Sequence, residues 1–360
     1  MCGIAGFIKK NINSSLCKEK ITKMISIIGH RGPDTTRVVI GKSFSFATAR
    51  LAIEKLKEGY QPIIHKNKKF ILSFNGEIFN YKDLIQKYSF AKNKIDSEAK
   101  LLAELFELKG VKFISEIKGQ FAISIYNVFE NKLYLFRDRF GIRPLFFKCY
   151  KDTFLYSSEI KSIVAFEEKA PETSLMGIAS TSLFWSNIGN YTSFEDIFQI
   201  PPGSYLIFSN GKFEIKQYWK NPICLINKNS KNEKNFKYEK FYELIKEAVN
   251  RQIFGEVGFS SYLSGGIDSS ALAYILTKIQ KSPIDTFSIE FQNKEYDESE
   301  AQSRIKSVIN SNHYSLKISN SDIADNFEKV VNHTECHLFR TAPVPMYLLA
   351  ENVKANEINF

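Results

Sequence analysis

A cysteine stands second in this 360-residue sequence, in MCGIAGF. Removal of the methionine before it would leave one residue carrying both a thiol and a free α-amine. An α-amine titrates near ~7.7–8.0, which suits it to take a thiol proton at neutral pH, so Cys2 can supply nucleophile and base together. The same position also reads as a small buried hydrophobe. Further along, NGEIFN places Asn75 and Gly76 at the end of a strand. A side-chain amide and a backbone N–H can converge there on a developing oxyanion, or the pair can form an ordinary Asn-Gly hairpin turn. Arg50, alternating with apolar residues in ATARLAI, is either a salt-bridge partner or a bidentate clamp for a carboxylate. Asp96, at a helix start, serves as a cap or holds an ammonium group. Glycine, amide, arginine and acid together describe a pocket for a zwitterionic amino acid beside a thiol.

A second set of residues lies in YLSGGIDSS, which follows a strand and opens a helix. Two glycines allow a tight turn with outward N–H groups, the serines add hydroxyl donors, and the helix N-terminus adds positive potential, all of which suit a phosphate. The lysine of the nucleoside triphosphatase loop is missing, so that mechanism is set aside. Asp268 inside an anion cradle would repel its ligand unless Mg2+ lay between them. ATP with magnesium is therefore the economical reading, and a glycine-turn helix cap the plain one. The five histidines show no ligand spacing. His333 and His337 fall at i, i+4, but no glutamate directly follows the first of them as in the zincin arrangement, which favours surface or packing roles.

These groups need elements to hold them. From about 1 to 220, the segments FSFATARLAI, KFILSFNG, FAISIYN, KLYLFRDR, FLYSS and GSYLIF alternate with period two and are joined by short polar turns, which predicts antiparallel sheets. Two helices interrupt them. Ile21, Met24, Ile25 and Ile28 mark one, stopping at Gly29; DSEAKLLAELFELKG, capped by Asp96 or Ser97, marks the other. Layered sheets with helices outside make an α+β domain. The polar stretch CLINKNSKNEKNFKYEK reads as a linker, placed at 221–236. Beyond it, over 237–360, a helix with Tyr238, Phe241, Leu244, Ile245 and Ala248 precedes a strand FSSYL, a glycine turn, a helix and a strand IDTFSIEF. Strand, helix and strand at crossover length form a βαβ unit of a parallel sheet. With so few strands that second domain reads as incomplete.

Composition bounds the rest. Hydrophobic residues at 44% and charged residues at 24% describe a soluble globular protein. The net charge of +10 is scattered through loops rather than gathered on a helix, so no nucleic-acid partner is expected. Five cysteines without CxxC spacing suggest neither a disulfide framework nor a zinc site, and a reducing cytoplasm fits best. No stretch approaches the ~20 apolar residues of a membrane span, and no membrane partner is expected. Oligomeric state is not legible, and a homodimer stays open.

The segments MCGIAGF, HRGPD, RLAI, QPI, FNGEIFNY, DSE, GQFA, RDRFGIRPLFF, SSEIKSI and IPPGSYL resemble, in order and spacing, the class II glutamine amidotransferase domain of glutamine-hydrolysing asparagine synthetases. The resemblance spans residues 1–220 and implies an N-terminal-nucleophile hydrolase fold in which Cys2 attacks the glutamine amide and releases ammonia. It implies an oxyanion hole at Asn75 and Gly76, Arg50 on the glutamine carboxylate, and Glu77 and Asp96 around its amine. Departures are ATARL where the family has Gly-His before its arginine, DSE for Asp-Thr-Glu, and Arg143 where lysine is usual; none removes a group the mechanism needs. YLSGGIDSS, SIEFQNKEYDESEAQ and HTECHLFRTAPVPMYLLAENVK resemble the ATP-pyrophosphatase synthetase domain that follows in the same family. This implies that Ser264, Gly265, Gly266, Asp268 and Ser269 hold pyrophosphate and Mg2+, with Asp268 the metal residue and Leu263 and Ile289 near the adenosine. The reaction implied is activation of aspartate by ATP as an acyl-adenylate, which ammonia attacks after passing through an internal channel. The family's second loop, Ser-Gly-Glu-Gly-Ala-Asp-Glu, does not occur, so 237–360 reads as a truncated synthetase domain. The alternatives are an amidotransferase with another acceptor, or a product with glutaminase activity only.

Overall fold

The structure, a computed structural model, describes residues 1–52, 59–65, 68–90, 95–225, 237–253, 258–280 and 283–356. Most of the expected linker lies outside the described residues. The chain divides into two compact units, Met1–Asn227 and Lys228–Phe360.

GIAGFIK carries no polar side chain before its last residue, and the strand it forms, β1 (Gly3–Lys9), is buried on both faces. It sits inside a six-stranded sheet, ordered β10 (Phe198–Gln199), β8 (Phe146–Tyr150), β9 (Thr153–Ser157), β1, β3 (Phe44–Arg50) and β2 (Thr35–Ile40). A second six-stranded sheet runs β12 (Lys212–Gln217), β11 (Ser204–Ser209), β7 (Lys132–Arg137), β6 (Gly119–Asn127), β5 (Phe70–Ile78) and β4 (Ile63–Ile64). The pairings in both sheets are antiparallel, as the short polar turns require.

Alternation along the strands sorts the side chains into layers. Ile4 and Ile8 of β1 pack with Phe46, Ile71, Leu133 and Leu135 between the two sheets. Ala5 and Phe7 point the other way, onto Ile21 and Met24 of α1 (Ser14–Ser26) and Ile163 of α4 (Ile160–Glu167). On the far side, Leu72, Phe74, Ile123 and Phe136 meet α3 (Glu98–Lys109) at Leu102, Leu105 and Phe106. The order is helix, sheet, sheet, helix, completed by α2 (Tyr81–Lys87) and α5 (Leu175–Phe184). Each large side chain so buried stabilises the unit by roughly 1.5–3 kcal/mol. The layered α+β architecture is the expected one. The two expected helices become five among the described residues, because α2, α4 and α5 are too short or too evenly apolar to show a stripe.

In the second unit β13 (Ser260–Tyr262), β14 (Ile284–Phe291) and β15 (Ser311–Ile318) form a parallel sheet in that order. The expected βαβ unit is present, with α7 (Ile267–Ile279) as its crossover. The other helices are α6 (Tyr238–Gln252), α8 (Ser299–Lys306), α9 (Asn320–Thr334) and α10 (Pro343–Ala355). The apolar stripe of α6 stays exposed at Tyr238, Phe241 and Leu244.

Candidate active site

Cys2 precedes β1, and the antiparallel register Gly3 to Ala49 brings Arg50, the last residue of β3, to the same sheet end. The Cys2 Sγ lies 3.8 Å from the carbonyl oxygen of Leu51. Burial pushes the Cys2 thiol up from its ordinary value, while the neighbouring α-amine, Arg50 and Arg31 pull it back. That α-amine, on Met1, is lowered to about 6, first by burial and then by Arg143 and Arg31. On Met1 that amine is mostly neutral at pH 7 and able to accept a proton. Arg50 is buried, and Gly59 closes over it: at φ +79° a Cβ there would stand 3.1 Å from a guanidinium nitrogen.

Asn75 and Gly76 do not form a hairpin turn. They lie inside β5, opposite Ala122 and Phe121 of β6, and the strand continues to Ile78. Gly76 has φ +151°, and a Cβ would meet the Gln120 carbonyl oxygen at 2.1 Å, so no other residue fits without displacing backbone. Asn75 is 0% exposed, yet neither Nδ2 nor Oδ1 has a partner among the described residues. A buried amide with unmet groups costs about 1–3 kcal/mol, so such a group calls for an explanation. Beside it, Glu77 Oε2 accepts from Gln120 Nε2 at 3.2 Å, and its Oε1 stands 3.9 Å from the buried Arg143 guanidinium.

Asp96 is placed differently from the other expected residues. Ser97 is the cap of α3, accepting from the Lys100 N–H at 3.4 Å, and the Asp96 carboxylate pairs with Lys100. In this structure it is thus engaged on its own helix. Sequence reasoning assigned no role to Arg31 or Glu159. Arg31 Nε donates to the Cys2 carbonyl oxygen at 3.2 Å, and its Nη1 donates to Glu159 Oε1 at 2.9 Å. The only available signal was that both fall inside the motifs HRGPD and SSEIKSI.

In the second unit the loop after β13 turns at Gly265, φ +82°, where a Cβ would meet Ala301 Cβ at 2.9 Å. The Ser264 and Ser269 hydroxyls lie 2.9 Å apart, and the Gly266 N–H donates to Ser264 Oγ at 3.3 Å. Gly266 is the N-cap of α7 with no side-chain capping bond to the first-turn N–H groups, and Asp268 is exposed in that turn. An uncapped helix start flanked by hydroxyls fits an anion, and the adjacent carboxylate fits a cation held against it. Leu263 is 1% exposed, its side chain packed on Ala273 and Ile309, while Ile289 is half-buried near the end of β14. Both stand at the carboxyl ends of neighbouring parallel strands, where open α/β sheets bind ligands. Elsewhere, His65, Glu104 and Glu107 bring potential metal ligands within 4.8 Å of one another, with His65 Nε2 already 2.8 Å from Glu107. No helix among the described residues is long and apolar enough to cross a membrane.

The family described as Glutamine amidotransferase domain matches residues 1–219, and the family described as Asparagine synthase matches 240–359. Asparagine synthetase [glutamine-hydrolyzing] 2 of Bacillus subtilis (strain 168) is 33% identical over 305 residues, covering 80% of this chain and 40% of the relative. Asparagine synthetase [glutamine-hydrolyzing] 1 of the same organism is 27% identical over 362 residues, with 98% and 56% covered. Asparagine synthetase B [glutamine-hydrolyzing] of Escherichia coli (strain K12) is 24% identical over 373 residues, with 99% and 61% covered. The chain thus spans about half the length of the curated relatives it matches. With its half-buried thiol, orphaned amide and enclosed arginine on two layered sheets, this chain belongs, by the match over residues 1–219, to the glutamine amidotransferase domain family.

Proposed function

We propose that residues 1–220 hydrolyse glutamine at Cys2 and that the ammonia serves ATP-dependent asparagine synthesis, in which 237–360 supply the nucleotide loop. The observation that carries the first half is the wholly buried Asn75 amide, whose polar atoms have no partner among the described residues. Once Met1 is removed, the Cys2 α-amine takes the thiol proton and the thiolate attacks the glutamine amide carbon. The Asn75 Nδ2–H and the Gly76 N–H receive the oxyanion, the α-amine returns its proton to the departing ammonia, and water hydrolyses the remaining thioester. Arg50 clamps the glutamine α-carboxylate. Glu77 faces its amine, joined by Asp96 if the Lys100 pair opens.

In the second half Ser264, Gly265, Gly266 and Ser269 would cradle the ATP phosphates, Asp268 would hold Mg2+, and Leu263 and Ile289 would flank the adenosine. Bound Mg2+ would supply charge neutralisation between Asp268 and the phosphates. Aspartate, activated as its acyl-adenylate, would then be attacked by ammonia. The likeness to asparagine synthetases of Bacillus subtilis supports this acceptor. The free thiols of Cys2, Cys17, Cys149 and Cys336 accord with a cytoplasmic setting.

The test is ammonia release from glutamine, run in parallel with AMP and pyrophosphate formation from ATP and aspartate. Cys2→Ala should abolish ammonia release, and Asp268→Ala should spare it while removing nucleotide turnover. Ammonia release by the Cys2→Ala protein would overturn the nucleophile assignment. Loss of both activities in Asp268→Ala would overturn separate sites.

A further inference from the structure

Glu159 follows β9 and stands at the N-cap of α4, where it makes no side-chain capping bond. It is 5% exposed. Its Oε1 accepts from Arg31 Nη1 at 2.9 Å and meets His30 Nε2 at 3.0 Å, and Lys161 Nζ stands 3.1 Å from Oε2. Burial works to raise its pKa, but the Arg31 hydrogen bond and the charges of Arg31 and Lys161 outweigh it and hold the carboxyl below its ordinary value. It is ionised at neutral pH, so Arg31 is held by a buried charge rather than left to sample rotamers.

What Arg31 does with its other edge gives this pair a purpose. Its Nε donates to the carbonyl oxygen of Cys2 at 3.2 Å. The ladder of β1 with β3 begins only at Gly3, and the neighbouring contacts, Ile4 N–H to Ser158 Oγ at 3.0 Å and Ser158 N–H to Ile4 oxygen at 2.9 Å, fix the strand beyond Cys2. After methionine removal Cys2 has no residue before it. The carbonyl shares a rigid peptide plane with the Cys2 Cα, so its direction fixes where that Cα stands, and with it the pivot from which the α-amine and thiol reach out.

We propose that Glu159 is a positioning residue of the amidotransferase site: through Arg31 it fixes the Cys2 carbonyl and thereby the place of the Cα that carries the amine and thiol. This inference rests on the reading of Cys2 as nucleophile. One guanidinium, 128 positions from Glu159 in the chain, links Glu159 Oε1 to the Cys2 carbonyl. An error of about 1 Å in a reacting group costs on the order of 10²-fold in rate.

The experiment measures glutaminase kcat and KM for the full chain carrying Glu159→Gln, Arg31→Lys, both together, or Cys2→Ala. Glu159→Gln keeps the shape and removes the charge. Its kcat should fall about 10- to 100-fold with KM within about threefold, since substrate binding is untouched. Arg31→Lys, which keeps the Glu159 ion pair but not the fork reaching Cys2, should lose kcat similarly and covers the case in which Glu159→Gln does not fold. The double variant should be no slower than the slower single. A kcat within twofold of the parent in either single variant, a loss carried by KM instead, or additive losses would overturn the proposal. Cys2→Ala separates the two layers: if it still hydrolyses glutamine, the nucleophile reading fails, whereas an inactive Cys2→Ala beside a fully active Glu159→Gln defeats the positioning role alone.

Discussion

Replacing Asn75 with alanine should separate activity from stability. The amide is wholly buried in β5 with neither polar atom partnered among the described residues. Removing an oxyanion donor costs about 10²–10³ in kcat, or ~2.7–4 kcal/mol, with KM little changed because the bond forms only in the transition state. The Gly76 N–H remains and should leave a residual rate. Stability should move little, because two effects oppose. Relief of the unmet desolvation gains about 1–3 kcal/mol, and loss of the packed amide leaves a small cavity that takes back a similar amount. The net is within about 1 kcal/mol, a shift of no more than roughly 4 °C for a unit of this size. Ammonia release gives the kinetics and calorimetry gives the melting temperature. Activity within tenfold of the parent, or a stability loss above about 3 kcal/mol like that of a bonded structural asparagine, would refute the reasoning.

Gly76→Ala, by contrast, should lower stability. Its Cβ would fall 2.1 Å from the Gln120 oxygen and 2.7 Å from Phe121 Cα at φ +151°. Strain and overpacking together cost about 2–5 kcal/mol, so the unit should melt roughly 5–15 °C lower, and an unchanged melting curve would contradict the geometry. Glu116 should carry a pH signature. Lys109, Lys87 at 2.7 Å and the Tyr88 hydroxyl at 2.6 Å depress its carboxyl to about 2. Because the folded value lies below the unfolded one, its contribution is fully present above about pH 5 and fades as pH falls toward 2. Glu116→Gln should therefore lower stability by ~1 kcal/mol at pH 7, and the gap to the parent should close in acid. A gap that widened in acid would reverse the assignment.

The motifs around Cys2, Arg50, Asn75 and Ser264 were legible because each joins a reactive group to a local backbone requirement. Asn75 and Gly76 left two readings open, since an Asn-Gly pair suits a turn as well as a strand interior; the ladder to Ala122 and Phe121 of β6, far away in the chain, decides it. β1 was not read as a strand, because burial on both faces removes the period-two signal. The capping choice at Asp96 and Ser97 fell to Ser97 because its short hydroxyl reaches the Lys100 N–H, leaving Asp96 to pair with the Lys100 amine. The line from Glu159 through Arg31 to Cys2 had no local signal beyond the two motifs that contain them: an ion pair across 128 positions exists only once β9 has paired with β1.

The most direct test of the account is to treat the purified chain with a glutamine analogue bearing an electrophilic ketone carbon and to map the adduct by peptide mass spectrometry. A single adduct on an N-terminal Cys2, formed in step with loss of ammonia release and blocked by excess glutamine, is the predicted result. Loss of activity with the adduct on Cys17, Cys149 or Cys336, or full labelling of Cys2 with hydrolysis intact, would contradict it.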